Sequence, residues 1–316
     1  MVDPLLQIEN LRVQFDRLLA VDDVSFDLHA GELLGLIGPN GAGKTTTLRA
    51  AAGLQPVSTG RIRVLGHDVS RESTWVGRHL GFTPDTPQLY DTLTVDEFLE
   101  FVGRCYGLPA TLTRERIDHW LEALWLVDKR SARVGTLSRG MKQRLAVART
   151  LLPDPHVILL DEPAAGLDPA GRIQFRRLLA SLRDQGKAII VSSHILADLA
   201  EYCTHITIMG HGRLISFGTV AQIAGAESRE RTLYRIVLAR RIDDLSARLE
   251  PLRRLEGVRR LEQDGDVITL EYERDREAAA RLLTKLMDAE LPVAEFRPLA
   301  PDLEQAYLRS GIGQVD

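Results

Sequence analysis

Short apolar segments alternate with helical patterns over residues 5–217 of the chain. The segments that begin near Leu33, Val157 and Ala188 consist mainly of Leu, Ile and Val without polar alternation, which is typical of strands covered on both faces in a parallel sheet. The alternation of such strands with helices predicts an α/β domain. The predicted strands are residues 7–13, 24–28, 33–38, 61–65, 80–83, 157–161, 188–192, 206–210 and 213–217.

A wholly helical pattern interrupts this alternation at about residues 88–152. Thr94 and Glu97 fit a capping box, in which each side chain satisfies a backbone N–H of the other residue. Two further helices are predicted at residues 114–126 and 138–152. The first of them carries an apolar stripe formed by Ile117, Leu121, Leu124 and Trp125. We therefore predict a helical subdomain inserted into a domain of residues 1–226.

A second domain is predicted at residues 230–316, because the pattern breaks near residues 225–229 and then changes. Its elements follow the order βαββαβ, which is that of a ferredoxin-like α+β unit. The sequence Gln-Asp-Gly-Asp at residues 263–266 predicts a tight hairpin between the second and third strands. The elements are strands at 232–239, 258–262, 266–271 and 293–298, and helices at 242–252, 276–289 and 302–310.

Composition narrows the possible functions only slightly. The chain has 316 residues, of which 44% are hydrophobic and 27% charged, with a net charge of −4, as in ordinary soluble globular proteins. The absence of a basic field argues against a nucleic-acid partner. No apolar run approaches the length that crosses a bilayer, so we expect any membrane role to come through a partner. The two cysteines follow no metal-ligand pattern and are expected to fill the core.

A complete phosphate-binding loop, G-x-x-x-x-G-K-T, follows the predicted strand 33–38 and precedes a helical segment. Strand, glycine loop and helix are the context that this motif requires. Backbone N–H groups and the helix N-terminus attract a nucleotide polyphosphate, Lys44 adds a positive charge, and Thr45 supplies a hydroxyl for Mg²⁺. The residues predicted to bind the nucleotide here are Gly38, Pro39, Asn40, Gly41, Ala42, Gly43, Lys44, Thr45 and Thr46.

The strand at residues 157–161 ends in two acids, Asp161 and Glu162, which is the Walker B pattern. A carboxylate at the carboxyl end of a parallel strand faces the crevice where such sheets bind ligands. Asp161 is therefore a candidate ligand of Mg²⁺, and Glu162 a candidate base that polarises the attacking water.

The segment Leu-Ser-Arg-Gly-Met-Lys-Gln-Arg at residues 137–144 resembles the signature motif of ATP-binding-cassette (ABC) ATPases. The resemblance implies a P-loop ABC ATPase fold with an inserted helical subdomain, followed here by the ferredoxin-like domain. It also implies that the signature segment, through Ser138, Arg139 and Gly140, contacts ATP bound to a second subunit. Ser138 is in addition a suitable N-cap for the helix that follows it.

Further segments resemble other ABC motifs. Asp168 belongs to a D-loop-like segment, and His194, after the strand 188–192, resembles the switch histidine, which implies a catalytic role beside Glu162. Phe15 lies where the family stacks an aromatic ring on adenine, and a core phenylalanine is the alternative interpretation. Asp85 takes the place of the Q-loop glutamine, where it could reach Mg²⁺ through water.

The C-terminal region around residues 300–308 resembles the extension of ATPase subunits that serve ABC-2 type exporters of the drug, polysaccharide and sodium export group. The resemblance implies a subunit that binds and hydrolyses ATP with Mg²⁺ and powers an exporter through the ATP-driven closure of a homodimer or of a pair with another ABC ATPase. It also implies a separate transmembrane permease, a location at the cytoplasmic face of the cell membrane, and an accessory or regulatory role for the second domain.

Two other functions are compatible with the nucleotide motifs. The first is a soluble ABC ATPase of DNA repair or of the ribosome, although the chain lacks the long insertions or tandem cassettes usual in those classes. The second is a binding module that does not hydrolyse ATP, against which the presence of Glu162 and His194 argues.

Overall fold

The computed structural model describes residues 3–193, 199, 201–223, 231–273 and 275–298. Two compact units divide the described residues, the first extending to Val220 and the second beginning at Ala221. The predicted helix at 302–310, the C-terminal segment 300–308 and His194 lie outside the described residues.

The first unit contains ten strands and six long helices within its described residues. Its strands are β1 (Leu6–Phe15), β2 (Leu18–Leu28), β3 (Leu33–Ile37), β4 (Thr59–Val64), β5 (His67–Asp68), β6 (Leu80–Thr83), β7 (Val157–Asp161), β8 (Ala188–Ser193), β9 (His205–Gly210) and β10 (Arg213–Thr219). Its helices are α1 (Lys44–Ala51), α2 (Ser73–His79), α3 (Val95–Cys105), α4 (Ala110–Ala123), α5 (Arg139–Leu151) and α6 (Pro169–Asp184). A short turn of helix at Val220–Ile223 begins with the last residue of this unit and continues into the second.

The central sheet has six strands in the order β10-β9-β3-β8-β7-β6, and all neighbours are parallel except β10 and β9. Strands β3 and β7 are buried along their whole length, which explains their unbroken apolar sequence. Because the strands are parallel, the carboxyl ends of β3, β7 and β8 lie at one edge of the sheet. The predicted α/β architecture is confirmed, and this edge carries the site.

A smaller sheet, in the order β2-β1-β4-β5, is antiparallel throughout. Its inner face and helix α1 share one hydrophobic core with the central sheet, to which Leu6, Val24, Leu36 and Leu159 contribute. Strand β2 begins at Leu18, earlier than the sequence pattern predicted, because its first two residues are exposed and carry no alternation signal.

Helices α3, α4 and α5 form the predicted helical block. The capping box at the start of α3 is confirmed, since Thr94 Oγ1 accepts from the Glu97 N–H (3.2 Å) and Glu97 Oε2 accepts from the Thr94 N–H (2.8 Å). The place given to Trp125 on the apolar stripe is wrong. Helix α4 ends at Ala123, and Trp125 adopts a left-handed φ of 54° that turns its ring to the surface, whereas Trp120 is buried.

The second unit folds as βαββαβ, which confirms the ferredoxin-like prediction. Its four-stranded antiparallel sheet has the order β12-β13-β11-β14, with a core that includes Ile236, Leu249, Leu270 and Leu282. The β12–β13 strand pair begins at Asp264 and Val267, as the predicted tight hairpin requires. The elements are β11 (Arg231–Leu238), α7 (Leu245–Arg253), β12 (Arg260–Asp264), β13 (Val267–Glu273), α8 (Arg276–Asp288) and β14 (Val293–Pro298).

None of the helices in the described part of the chain is long and apolar enough to pass through a lipid bilayer.

Candidate nucleotide-binding site

A cleft of about 540 Å³ opens at the carboxyl edge of the central sheet. It brings together five parts of the chain: the phosphate loop, the Walker B acids, the end of β1 with the start of β2, the segment after β6 that contains Asp85, and the turn between β9 and β10. Its lining residues are Phe15, Leu18, Leu19, Ala20, Asn40, Gly41, Ala42, Gly43, Lys44, Thr45, Thr46, Asp85, Asp161, Glu162, His211 and Gly212.

The phosphate loop depends on a glycine at its last turn before helix α1. Gly43 has a φ of 99°, and a Cβ at this position would lie 2.7 Å from the Ala20 carbonyl oxygen. Both the left-handed backbone and the close approach therefore exclude a side chain. The N-terminus of α1 consequently opens directly into the cleft, where its N–H groups favour an anion.

Lys44 is the positive charge of the cleft. Its ammonium is mostly buried and donates to the carbonyl oxygens of Gly38 (2.6 Å) and Pro39 (3.1 Å). Burial lowers the pKa of Lys44 from its ordinary value, while the negative charges of Glu162 and Asp161 raise it in part. The loop thus holds a cation next to the two acids, an arrangement suited to a polyphosphate with its metal ion.

Asp161 is almost fully buried, with 1% of its surface exposed. Its Oδ1 accepts a hydrogen bond from Ser192 Oγ (2.6 Å), whereas Oδ2 is buried without a hydrogen-bond partner. A buried carboxylate oxygen that lacks a donor is costly unless a cation neutralises it. Asp161 and the Thr45 hydroxyl are oxygen ligands of the kind that Mg²⁺ prefers, so the residues present fit this ion.

Asp161 and Thr45 are few ligands for a metal ion. Among the described residues, no cluster of three or more His, Cys, Asp or Glu side chains could hold a metal ion. Mg²⁺ usually takes one or two protein ligands and completes its shell with water and phosphate oxygens. A pair of oxygen ligands such as Asp161 and Thr45 is compatible with that mode of binding. Asp85 also lines the cleft, and its Oδ1 lies 4.0 Å from Arg139 Nη2.

Phe15 is 42% exposed and lines the cleft. This exposure rules out the alternative of a core phenylalanine and leaves the ring available to stack on a base. Sequence reasoning missed Leu18, Leu19 and Ala20, which follow Phe15 closely in the chain, and His211 and Gly212 in the β9–β10 turn. The Gly212 N–H donates to the Ala42 carbonyl (3.1 Å), which anchors the β9–β10 turn to the phosphate loop. No local motif marks these residues, and the β9–β10 turn reaches the site only through its contact with the phosphate loop.

The other predicted nucleotide contacts do not line this cleft: they are Gly38 and Pro39, whose carbonyls accept from Lys44, and Ser138, Arg139, Gly140 and Asp168. Ser138 Oγ caps α5 by accepting from the Met141 N–H (3.3 Å), and Asp168 Oδ1 caps α6 by accepting from the Gly171 N–H (2.8 Å). A Cβ at Gly140 would lie 2.7 Å from the Gly166 carbonyl oxygen, so the N-terminus of α5 packs directly on this neighbouring segment. The signature residues are therefore not part of the cleft that the phosphate loop lines, although Arg139 lies near Asp85 at its edge.

Comparison with known proteins decides the family. The ABC transporter family model matches residues 21–165. The uncharacterized ABC transporter ATP-binding protein YhcH of Bacillus subtilis is 39% identical over 217 residues, which cover 68% of this chain and 70% of the relative. The chain belongs to the ABC transporter family. The Nod factor export ATP-binding protein I of Ralstonia nicotianae is 38% identical over 68% of this chain and 67% of its own length.

Solved structures agree with this assignment. The ATP-binding subunit of an ABC transporter superimposes with a TM-score of 0.67 at 31% identity, over 70% of this chain and 92% of that protein. A second structure, cbiO1 from Clostridium perfringens, described as part of the ABC transporter complex cbiONQ, gives a TM-score of 0.64 at 29% identity, over 72% and 92% of the two chains.

As an ABC ATP-binding protein, the chain hydrolyses ATP, with ATP and Mg²⁺ as its ligands, and ATP-binding subunits of this family work with separate transmembrane components. The predicted P-loop ABC ATPase fold is confirmed. The individual roles given to the site residues remain predictions. The cleft shows only which of these residues lie together in one subunit.

Replacing Phe15 with Ala should weaken ATP binding about ten-fold, because stacking of a base on an aromatic ring is worth about 1–3 kcal/mol. Titration calorimetry with a non-hydrolysable ATP analogue measures the change. Phe101→Ala is the matched control, since that ring is similarly exposed, at 40%, on helix α3. Equal affinities of Phe15→Ala and the unmodified protein would contradict the stacking role.

Proposed function

We propose that this chain is the ATP-hydrolysing subunit of an ABC-2 type exporter whose transmembrane permease is a separate polypeptide. The main support is its similarity to a Nod factor export ATP-binding protein over two thirds of that relative's length. The cleft supports the energy-supplying role, because a buried lysine, a buried acid with an unpartnered oxygen and a second acid converge there. The same similarity disfavours a soluble repair or ribosomal ATPase.

A dimer is proposed because one subunit presents only part of a nucleotide site in its cleft. Lys44, Thr45 and Asp161 line the cleft, whereas Ser138 and Gly140 do not. The N-cap geometry of Ser138 gives α5 an N-terminus with positive partial charge. We infer that this N-terminus meets the γ-phosphate of ATP bound to a second subunit, so that ATP joins two subunits in a head-to-tail arrangement.

In the proposed hydrolysis, water attacks the γ-phosphorus while the bond to the oxygen that bridges the β- and γ-phosphates breaks. Glu162 accepts the proton of the water, and Lys44 stabilises the charge that develops on the phosphate oxygens. Bound Mg²⁺ supplies further neutralisation of that charge. Loss of the γ-phosphate removes the group shared by the two subunits, so the dimer opens and transmits a movement to the permease.

The surface proposed for the permease lies on the helical block beside the Asp85 segment. Tyr90 and Phe101 pack edge to face there, with ring centroids 5.5 Å apart, and both are exposed, at 57% and 40%. Paired exposed aromatic rings are typical of residues that become buried against a partner. This contact would place the subunit at the cytoplasmic face of the membrane.

For the second unit, we propose a regulatory role or a role in stabilising the dimer.

Co-expression with a candidate permease, for which a neighbouring reading frame that encodes a membrane protein would be the first choice, tests the proposal. The subunit should sediment with membranes only when that permease is present, and replacing Tyr90 and Phe101 with Asp should release it into the supernatant. Phe15→Ala serves as the control, because that aromatic ring lies in the nucleotide cleft. Sedimentation with ribosomes, or the same distribution between pellet and supernatant with and without the permease, would contradict the exporter assignment.

A further inference from the structure

Ser192 contacts both acids of the nucleotide site, although the sequence motifs give it no role. It lies at the end of β8, is fully buried, and is paired in register with Asp161 on β7. Its hydroxyl donates to Asp161 Oδ1 (2.6 Å) and accepts from the Glu162 backbone N–H (2.9 Å). A serine hydroxyl has one proton to donate, and here that proton is committed to Asp161.

The first contact determines which oxygen of Asp161 is available. Ser192 occupies Oδ1, and Oδ2 is buried and without a hydrogen-bond partner. The carboxylate is therefore fixed in an orientation in which one oxygen is held by the protein and the other remains for a cation. Ligands held by such outer hydrogen bonds bind metals more tightly than ligands that are free to rotate.

The second contact holds the backbone of Glu162. This residue has a φ of 47°, a left-handed conformation that costs a residue with a side chain about 1–3 kcal/mol and persists only where neighbours enforce it. The hydrogen bond from the Glu162 N–H to Ser192 Oγ is one such constraint. It connects the end of β7 to β8 and so fixes the backbone position from which the Glu162 side chain extends.

We propose that Ser192 is a positioning residue for ATP hydrolysis, whose single hydroxyl holds the Asp161 carboxylate for Mg²⁺ and the Glu162 backbone for catalysis. The inference rests on the functions proposed above for Asp161 and Glu162. Ser192 acts on the acids and not on the phosphate loop, where Lys44 donates to loop carbonyls. Its loss should therefore affect Mg²⁺ dependence and turnover but not metal-free nucleotide binding.

The test compares purified Ser192→Ala with the unmodified full chain. We expect the Mg²⁺ concentration for half-maximal ATPase activity to rise about 10-fold or more and kcat to fall about 10–100-fold, the usual range when a hydrogen-bond partner of a metal ligand is removed. Binding of a fluorescent ATP analogue in EDTA should be unchanged. Ser192→Thr, which keeps the hydroxyl, should restore both parameters, whereas Ser192→Cys, a weak donor of similar size, should resemble Ser192→Ala.

Thr207→Val is the matched control. Thr207 is equally buried on β9 of the same sheet, but its hydroxyl donates to the Ser216 carbonyl (3.1 Å). This variant removes one buried hydroxyl while nearly conserving volume, and it should leave the Mg²⁺ dependence unchanged. A merely structural role of Ser192 would make Ser192→Ala and Thr207→Val alike in Mg²⁺ dependence and kcat, and that result would overturn the proposal.

Asp161→Asn separates this proposal from the functions on which it rests. If Asp161→Asn kept normal Mg²⁺ dependence, the metal role of Asp161 would be wrong and the role of Ser192 would fail with it. If Asp161→Asn needed more Mg²⁺ or lost its activity, while Ser192→Ala kept the Mg²⁺ requirement and kcat of the unmodified chain, only the proposal for Ser192 would be overturned. An unmodified chain without Mg²⁺-dependent ATPase activity would count against the proposed function itself.

Discussion

Glu162→Gln should lose ATP turnover by about 10²–10⁴-fold while retaining ATP binding. The amide is nearly isosteric with the carboxylate but cannot accept the proton of the attacking water, and general-base catalysis contributes a factor of this size. The Glu162 N–H that donates to Ser192 Oγ is a backbone group, so the substitution preserves that contact. Steady-state phosphate release measures the loss.

The same variant should accumulate as a dimer in ATP and Mg²⁺, because the γ-phosphate that joins the subunits is no longer removed. Light scattering after size-exclusion chromatography, with and without ATP, measures this state. Glu115→Gln, an exposed carboxylate on α4, is the control and should behave like the unmodified protein. A monomeric Glu162→Gln protein that still hydrolyses ATP normally would refute the assignment of Glu162 as the base.

Lys44→Ala should lose most of its affinity for ATP. The ammonium is the buried cation of the phosphate loop, and removing one partner of a buried charge contact costs about 2–5 kcal/mol, which is a loss of roughly 30-fold or more in affinity. Lys44→Arg should not restore binding. Lys44 is only 7% exposed and its compact ammonium donates to two loop carbonyls, a contact that the larger, planar guanidinium of Arg does not reproduce.

Nucleotide titration measures this affinity, and thermal unfolding in the absence of nucleotide checks the fold. The fold should depend little on Lys44, because burial lowers the pKa of this residue and so opposes its charged form. Lys285→Ala on α8 removes an equal charge from an exposed position and is the control. Unchanged ATP affinity of a folded Lys44→Ala protein would refute the role given to the phosphate loop.

Contiguous motifs account for the parts of the site that the sequence predicted. The phosphate loop and the Walker B acids each follow a strand with a strong apolar signal, so their place at the edge of the sheet could be inferred. The capping box at Thr94 was equally predictable, since its hydrogen bonds join residues three positions apart. The strands of the second unit were also found, although β12 begins at Arg260 instead of Val258, because this edge strand is mostly exposed and contains only one apolar residue.

The errors and omissions have two other causes, the position of a helix end and contacts between distant parts of the chain. Trp125 follows the apolar periodicity of α4, but the helix ends before it and a left-handed residue redirects its ring. Local periodicity does not report where a helix stops when the capping residues are themselves apolar. His211 and Ser192 reach the site through strand neighbours distant in the chain, so no spacing rule could identify them.

The sequence by itself determined the chemistry that is carried by neighbouring residues: a polyphosphate loop, two acids after a buried strand, and a capped helix that resembles the ABC signature. Only the tertiary structure decided which of these share a cleft, that Phe15 is exposed in it, and that one hydroxyl joins Asp161 to Glu162. The physical reason is that parallel strands that are neighbours in the sheet are joined by long crossover connections. Their register is set by packing across the sheet, so it cannot be inferred from the order of residues within either strand.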